Sequence, residues 1–210
     1  PSLSSSTFDS QTIPFDSMVG FFGQSQNSLT KKRLLGVVPF ANRNTVVKSE
    51  AFDHASWTKT ALTITADADG SLDKLIPTNA NSQHYLTQAT VKLAVTQTWT
   101  LTCVVKASAY TGAGLYLLGG SGDALVTFSL VDGSVVSSVV TGGFSGLNAA
   151  AELIGTEWHL RLTCNTDTTT ALSARVLVGE TGASFTFVGN TVDGILAGRI
   201  QLREGSVGDY

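Results

Sequence analysis

His54, His84 and His159 are the only imidazoles in the chain, so any histidine-based proton transfer near neutral pH must fall to them. None stands in a His-x-x-x-His, Gly-x-Ser-x-Gly or Cys/His arrangement that would bring a base to a nucleophile or a metal. They read as surface or loop histidines, and no motif argues for an enzyme. Cys103 and Cys164 lack the Cys-x-x-Cys spacing of a metal or redox site. Both fall at apolar positions of alternating segments, where a thiol packs as a small hydrophobe; a disulfide joining two sheets is the alternative if their strands face each other closely. Asp67, Asp69 and Asp73 surround Gly70 and offer the hard oxygens that Ca²⁺ takes, so a structural calcium is the one cofactor the sequence suggests. Their spacing is not that of an EF-hand loop, which favours a solvated Asp-Gly turn. Tyr110 and Tyr116 flank a Gly-rich stretch and are the best candidates for a platform on which the C–H faces of a sugar could stack; the competing reading is packing between sheet and loop.

The elements that would position these residues have a period of two. Trp99, Leu101, Cys103 and Val105 share one face against Thr100, Thr102 and Lys106, and Trp158, Leu160, Leu162 and Cys164 share one face against His159, Arg161, Thr163 and Asn165. Leu62/Ile64/Ala66, Val91/Leu93/Val95, Val126/Phe128/Leu130, Leu172/Ala174/Val176/Val178, Phe185/Phe187 and Leu196/Ile200/Leu202 extend the pattern to about eight strands. Asp69-Gly70, Gly119 to Asp123, Asp132-Gly133, Gly142-Gly143, Gly179 to Gly182 and Asp193-Gly194 supply turns at strand-like spacing. Apolar residues on one face of each strand imply antiparallel sheets, so the expected fold is all-β, a two-sheet jelly-roll sandwich over residues 47–210. Only Asn148 to Leu153 looks helical.

Residues 1–46 have no sustained period and read as an extended amino-terminal arm. Phe8, Phe15, Phe21 and Phe22 stand there without a local core, and are candidate anchors to another chain. Charge narrows the partners. The chain of 210 residues carries 13 basic and 16 acidic side chains, a net charge of −3, and only 14% of its residues are charged. Such a balance gives no global attraction to nucleic acid or anionic lipid, and Lys31-Lys32-Arg33 is the only basic run. An apolar fraction of 42% is enough for a sizeable core. No stretch approaches 18 consecutive apolar residues, and residues 1–17 have neither a basic start nor an apolar core, so neither a membrane span nor a secretory signal is expected.

Ser49 to Lys59 (Ser-Glu-Ala-Phe-Asp-His-Ala-Ser-Trp-Thr-Lys) resembles the opening of a jelly-roll domain family, akin to carbohydrate-binding modules, that recurs in bacteriophage tail and head-fibre proteins. Five further stretches follow in the family's order. They are Asp69-Gly70-Ser71 with Asp73-Lys74-Leu75, Thr98 to Ala107, Phe128-Ser129-Leu130 with Asp132-Gly133, Glu157 to Arg161, and Gln201 to Ser206. Departures lie near the end, where Ala197-Gly198-Arg199-Ile200 replaces an aromatic-Gly-Ala and Arg203 replaces a glutamate. The resemblance implies a non-enzymatic virion structural protein, a head-decoration, fibre or tail-fibre component assembled in the host cytoplasm. Its partners would be capsid, portal or tail subunits, with self-association most simply as a cyclic trimer. The alternative it implies is a module that binds host-surface polysaccharide.

Overall fold

The computed structural model describes residues 43–205. Thirteen strands and no helix form among them: β1 (Thr58–Thr60), β2 (Leu62–Thr65), β3 (Asp73–Pro77), β4 (Asn81–Val91), β5 (Thr98–Lys106), β6 (Gly112–Gly119), β7 (Gly122–Ser129), β8 (Val135–Gly142), β9 (Ser145–Ile154), β10 (Glu157–Asn165), β11 (Ala171–Gly179), β12 (Thr186–Val188) and β13 (Ile195–Glu204). One sheet runs β1-β4-β11-β6-β7-β8, with β12 also paired to β4; the other runs β2-β3-β13-β5-β10-β9. Every pairing is antiparallel, and the chain crosses between the sheets repeatedly, as a jelly roll does.

The two-residue alternation accounts for the core. Leu101, Cys103 and Val105 of β5 and Leu160, Leu162 and Cys164 of β10 face Leu115, Leu117, Val126, Phe128, Ala174 and Val176 of the opposite sheet in one buried cluster. Trp99 and Leu202 are buried with them, whereas Trp158 is half-buried and donates its Nε1–H to the Leu130 carbonyl at 2.9 Å. Cys103 on β5 is opposite Leu160, and Cys164 on β10 is opposite Trp99, so the thiols stand four residues apart along one strand pair and are both free. Burial pushes both thiols up to about 12, which leaves them inert.

Two expected elements form differently. Asn148 to Leu153 lies within β9, which pairs with β10 from Glu157↔Ile154 to Asn165↔Ser145; the ladder and the packing of Leu147, Ala149 and Ala151 against the core outweigh alanine's helix preference. The Val91/Leu93/Val95 alternation is inverted. Those three side chains are exposed, and Lys92 between them is buried because its ammonium is taken by carbonyls of its own loop and of the β10–β11 connection. Asn44 to Val46 lie along β13: Thr45 N donates to Leu202 O at 2.8 Å, Asn44 Oδ1 accepts from Leu202 N at 2.9 Å, and Val46 enters the core. Contacts of the sandwich therefore begin by Asn44. Phe8, Phe15, Phe21, Phe22 and Lys31 to Arg33 lie outside the described residues.

Candidate functional site

Alternation on three adjacent strands builds a cluster on the outer face of the first sheet. Leu115 and Leu117 of β6 are buried, which turns Tyr116 between them outward. Ala174 and Val176 of β11 do the same for Arg175, and His84 and Leu86 of β4 for Tyr85. Register then makes the three outward residues neighbours. Arg175 is opposite Tyr116 on one side and Thr87 on the other, and Tyr85 is two residues along β4 from Thr87.

The guanidinium carbon of Arg175 lies 4.7 Å from the centroid of the Tyr85 ring and 5.2 Å from that of Tyr116. Each such contact contributes about 0.5–1 kcal/mol when exposed, and two of them hold the guanidinium in place. Its Nε is buried without a hydrogen-bond partner, and among the described residues no hydrogen bond or ion pair engages Arg175. Tyr116 donates its phenol O–H to Asp123 Oδ2 on β7 at 2.8 Å, and Thr141 on β8 donates to Asp123 Oδ1 at 2.6 Å. Burial, followed by the hydrogen bond to Asp123 and that carboxylate's charge, pushes the Tyr116 phenol up to about 12, so it remains a neutral donor. The Asp123 carboxylate, with both oxygens engaged, acts as an orienting acceptor. Aromatic rings around a fixed fork of unengaged donors make a surface suited to a polar, oxygen-rich ligand.

Of the two tyrosines expected to form a sugar platform, only Tyr116 is on this face. Tyr110 is 8% exposed and packs edge-on against Phe187 with centroids 5.3 Å apart, at the end of the sandwich where its backbone N–H bonds Gly194 O. Burial raises its phenol as well. The reason is positional: Tyr110 precedes β6 and closes the core, whereas Tyr116 occupies an outward position within the strand. His84 is not a surface histidine either; it is fully buried, with Nδ1 2.7 Å from Ala61 O and Nε2 3.0 Å from Phe187 O.

Two of the aspartates around Gly70 are engaged by backbone amides. Asp73 is buried and accepts from Phe52 N at 2.7 Å and Asp67 N at 3.0 Å, while Asp69 Oδ1 accepts from Leu72 N at 2.9 Å and from Ser71 N at 3.2 Å. Asp69 is held below the usual carboxylate range, first by the Leu72 amide. The Asp69 and Asp73 carboxylates thus shape the loop, Asp67 enters it through its backbone N–H and carbonyl, and among the described residues no group of three or more His, Cys, Asp or Glu is placed to hold a metal.

Tyr85 and Arg175 complete the cluster without having been picked out by motif. The signal was the alternation itself, Leu86 beside Tyr85 and Ala174/Val176 around Arg175, joined to a strand order that sequence periodicity does not contain.

No protein-family model matches the chain, and no curated protein matches it. Among solved structures the chain is similar to the enzymatically active domain of tailspike protein 4 of bacteriophage CBA120, with 14% identity and a TM-score of 0.44 over 77% of this chain and 21% of that one. The match therefore spans about a fifth of the tailspike chain. It is also similar to TmCBM27, a carbohydrate-binding module described for specific mannan recognition, with 10% identity and a TM-score of 0.35 over 77% of this chain and 95% of that one. A third is TmCBM61, solved in complex with β-1,4-galactotriose, with 6% identity and a TM-score of 0.33 over 78% of this chain and 100% of that one. Identities and TM-scores this low carry no argument about what the chain binds, which rests on its own residues.

Proposed function

We propose that the chain is a non-enzymatic, glycan-binding jelly roll of a virion structural protein, and that the glycan lies on the outer face of the β1-β4-β11-β6-β7-β8 sheet. The observation that carries the binding role is the Tyr85–Arg175–Tyr116 cluster. Its side chains are outward-facing and mutually braced, and among the described residues no hydrogen bond or ion pair engages the Arg175 guanidinium. Sugars are recognised by planes for their C–H faces and by fixed donors and acceptors for their hydroxyls, and the cluster offers both. Solvent-exposed, single-site recognition of this kind is weak, and display in many copies raises it to useful avidity. The virion setting, with anchoring through the amino-terminal segment to capsid, portal or tail subunits, rests on the ordered motifs between Ser49 and Ser206.

The test is a glycan array probed with the full chain, its Tyr116→Ala and Arg175→Ala variants, and Arg203→Ala on the other sheet as control. Glycan binding that is weakened about tenfold or more by the first two changes and unaffected by the third supports the reading. Binding insensitive to both cluster changes, or cleavage of the bound glycan, overturns it.

A further inference from the structure

Resting on the glycan-binding reading of this face, we infer that its ligand is an acidic glycan, one whose carboxylate or sulfate group docks on the Arg175 guanidinium.

Three cations of the described residues stand against carboxylates. Lys92 has Asp167 at 3.6 Å, Lys106 has Asp69 at 3.5 Å and Arg199 has Glu157 at 3.0 Å. Among the described residues Arg175, like Arg203 on the other sheet, has no acidic partner, but Arg175 sits mid-sheet and half-buried between two aromatic rings that hold it in place. Burial without a counter-charge is unfavourable for any ion, and a guanidinium presents parallel N–H donors matched to a two-oxygen anion. The two ring contacts fix the fork beforehand, so a ligand anion loses little free energy in ordering it.

The surroundings limit the ligand to sparse negative charge. Thr87 and Tyr116, directly across from Arg175 on either side, are uncharged. Asp123 stands on β7, with β6 between it and Arg175, and is opposite Leu118 rather than Tyr116. Its carboxylate is held by Tyr116 and Thr141 and leaves Arg175 free for an external anion. Tyr116 stays neutral and does not compete for the guanidinium. One cation bordered by an aspartate suits a sugar chain carrying one anionic group at the contact. A nucleic acid strand, with a phosphate at every nucleotide, would meet a protein of net charge −3 and a single cation at this site.

The experiment uses the full chain and immobilised acidic polysaccharides, some uronate-bearing and some sialate-bearing, each beside its carboxyl-reduced neutral form. Sulfated polysaccharides are placed beside their desulfated forms, and a single-stranded oligonucleotide is included. Wild-type protein should bind at least one acidic member about tenfold or more tightly than its neutral counterpart. Arg175→Gln should abolish that preference, and Arg175→Lys should restore only part of it, with thermal unfolding confirming that both variants fold. Whether carboxylate or sulfate is the group read follows from which pair is discriminated. Equal binding of acidic and neutral members overturns the inference while leaving the glycan-binding reading intact. Absence of binding to every glycan overturns both, and Arg175-dependent capture of the oligonucleotide instead overturns the inference in favour of a nucleic acid.

Discussion

The Lys92 ammonium is fully enclosed, 2.6 Å from Asp167 O and 3.2 Å from both Leu93 O and Val95 O, with the Asp167 carboxylate 3.6 Å away. Asp167 in turn accepts from Ser121 N at 2.8 Å and Thr169 N at 3.0 Å and from both hydroxyls, so one buried pair ties together the β4–β5, β6–β7 and β10–β11 connections. Replacing Lys92 by methionine leaves the carboxylate buried and unpaired, and we expect a loss of about 3–5 kcal/mol in chemical denaturation. Burial of Asp167 would raise its carboxyl, but the hydrogen bonds from Thr169 and Ser121 outweigh it and lower the group to about 2 from an ordinary 3.8. A depressed pKa stabilises the fold fully above the unfolded value and ceases to do so as pH falls through the folded one. Stability should therefore decline between about pH 4 and pH 2, and in Asp167→Asn that part of the decline should vanish; an unchanged pH profile would refute the assignment. Residue identity alone did not reveal this pair, because an alternating Val-Lys-Leu-Ala-Val reads as a half-buried strand with its lysine outside. The binding face was partly legible: flanking leucines place Tyr116 outward, but nothing local distinguishes it from Tyr110, whose burial depends on Phe187, far along the chain.

Among the elements, β10 and most of β11 follow directly from their alternating side chains, since one residue of slip would turn their buried groups to solvent. β5, expected to be half-buried, is central and buries Thr100, Thr102 and Val104 as well as its apolar face. β9 does not follow from its side chains, because its three alanines carry little preference for either face and its pairing with β10 decides the matter. The turn between β7 and β8 depends on Gly133, which has φ +74° and packs against the Trp158 ring so closely that a Cβ there would collide with it. Gly133→Ala should therefore cost about 1–3 kcal/mol and release Trp158, readable as a shift in tryptophan fluorescence together with a lower unfolding midpoint. A neutral substitution with unchanged emission would show that the turn and the ring are independent. Strand order, unlike strand existence, is written only in long-range pairs, and the Tyr85–Arg175–Tyr116 cluster exists only once β4, β11 and β6 are adjacent.

At the scale of the molecule, the sandwich is closed by chain distant in sequence: Asn44 and Thr45 lie on β13, some 157 residues away, and Val46 fills the core beneath. A chain lacking residues 1–47 should accordingly be less stable than one lacking residues 1–42 by about 2 kcal/mol, the loss of one buried valine and its neighbouring hydrogen bonds. Equal stability of the two would mean that these contacts contribute nothing. For attachment to particles, the shorter truncation is the informative one, since it removes the candidate anchors Phe8, Phe15, Phe21 and Phe22 and leaves the docked segment in place. The proposed ligand site is one sheet face. It is tested most directly by amide chemical-shift mapping of the isotope-labelled full chain, titrated with the strongest glycan from the array. Perturbations should centre on Tyr85, Arg175 and Tyr116 and their partners on β4, β11 and β6. Perturbations confined to β5, β10 and β13 on the opposite sheet, or no perturbation by any glycan, would contradict it.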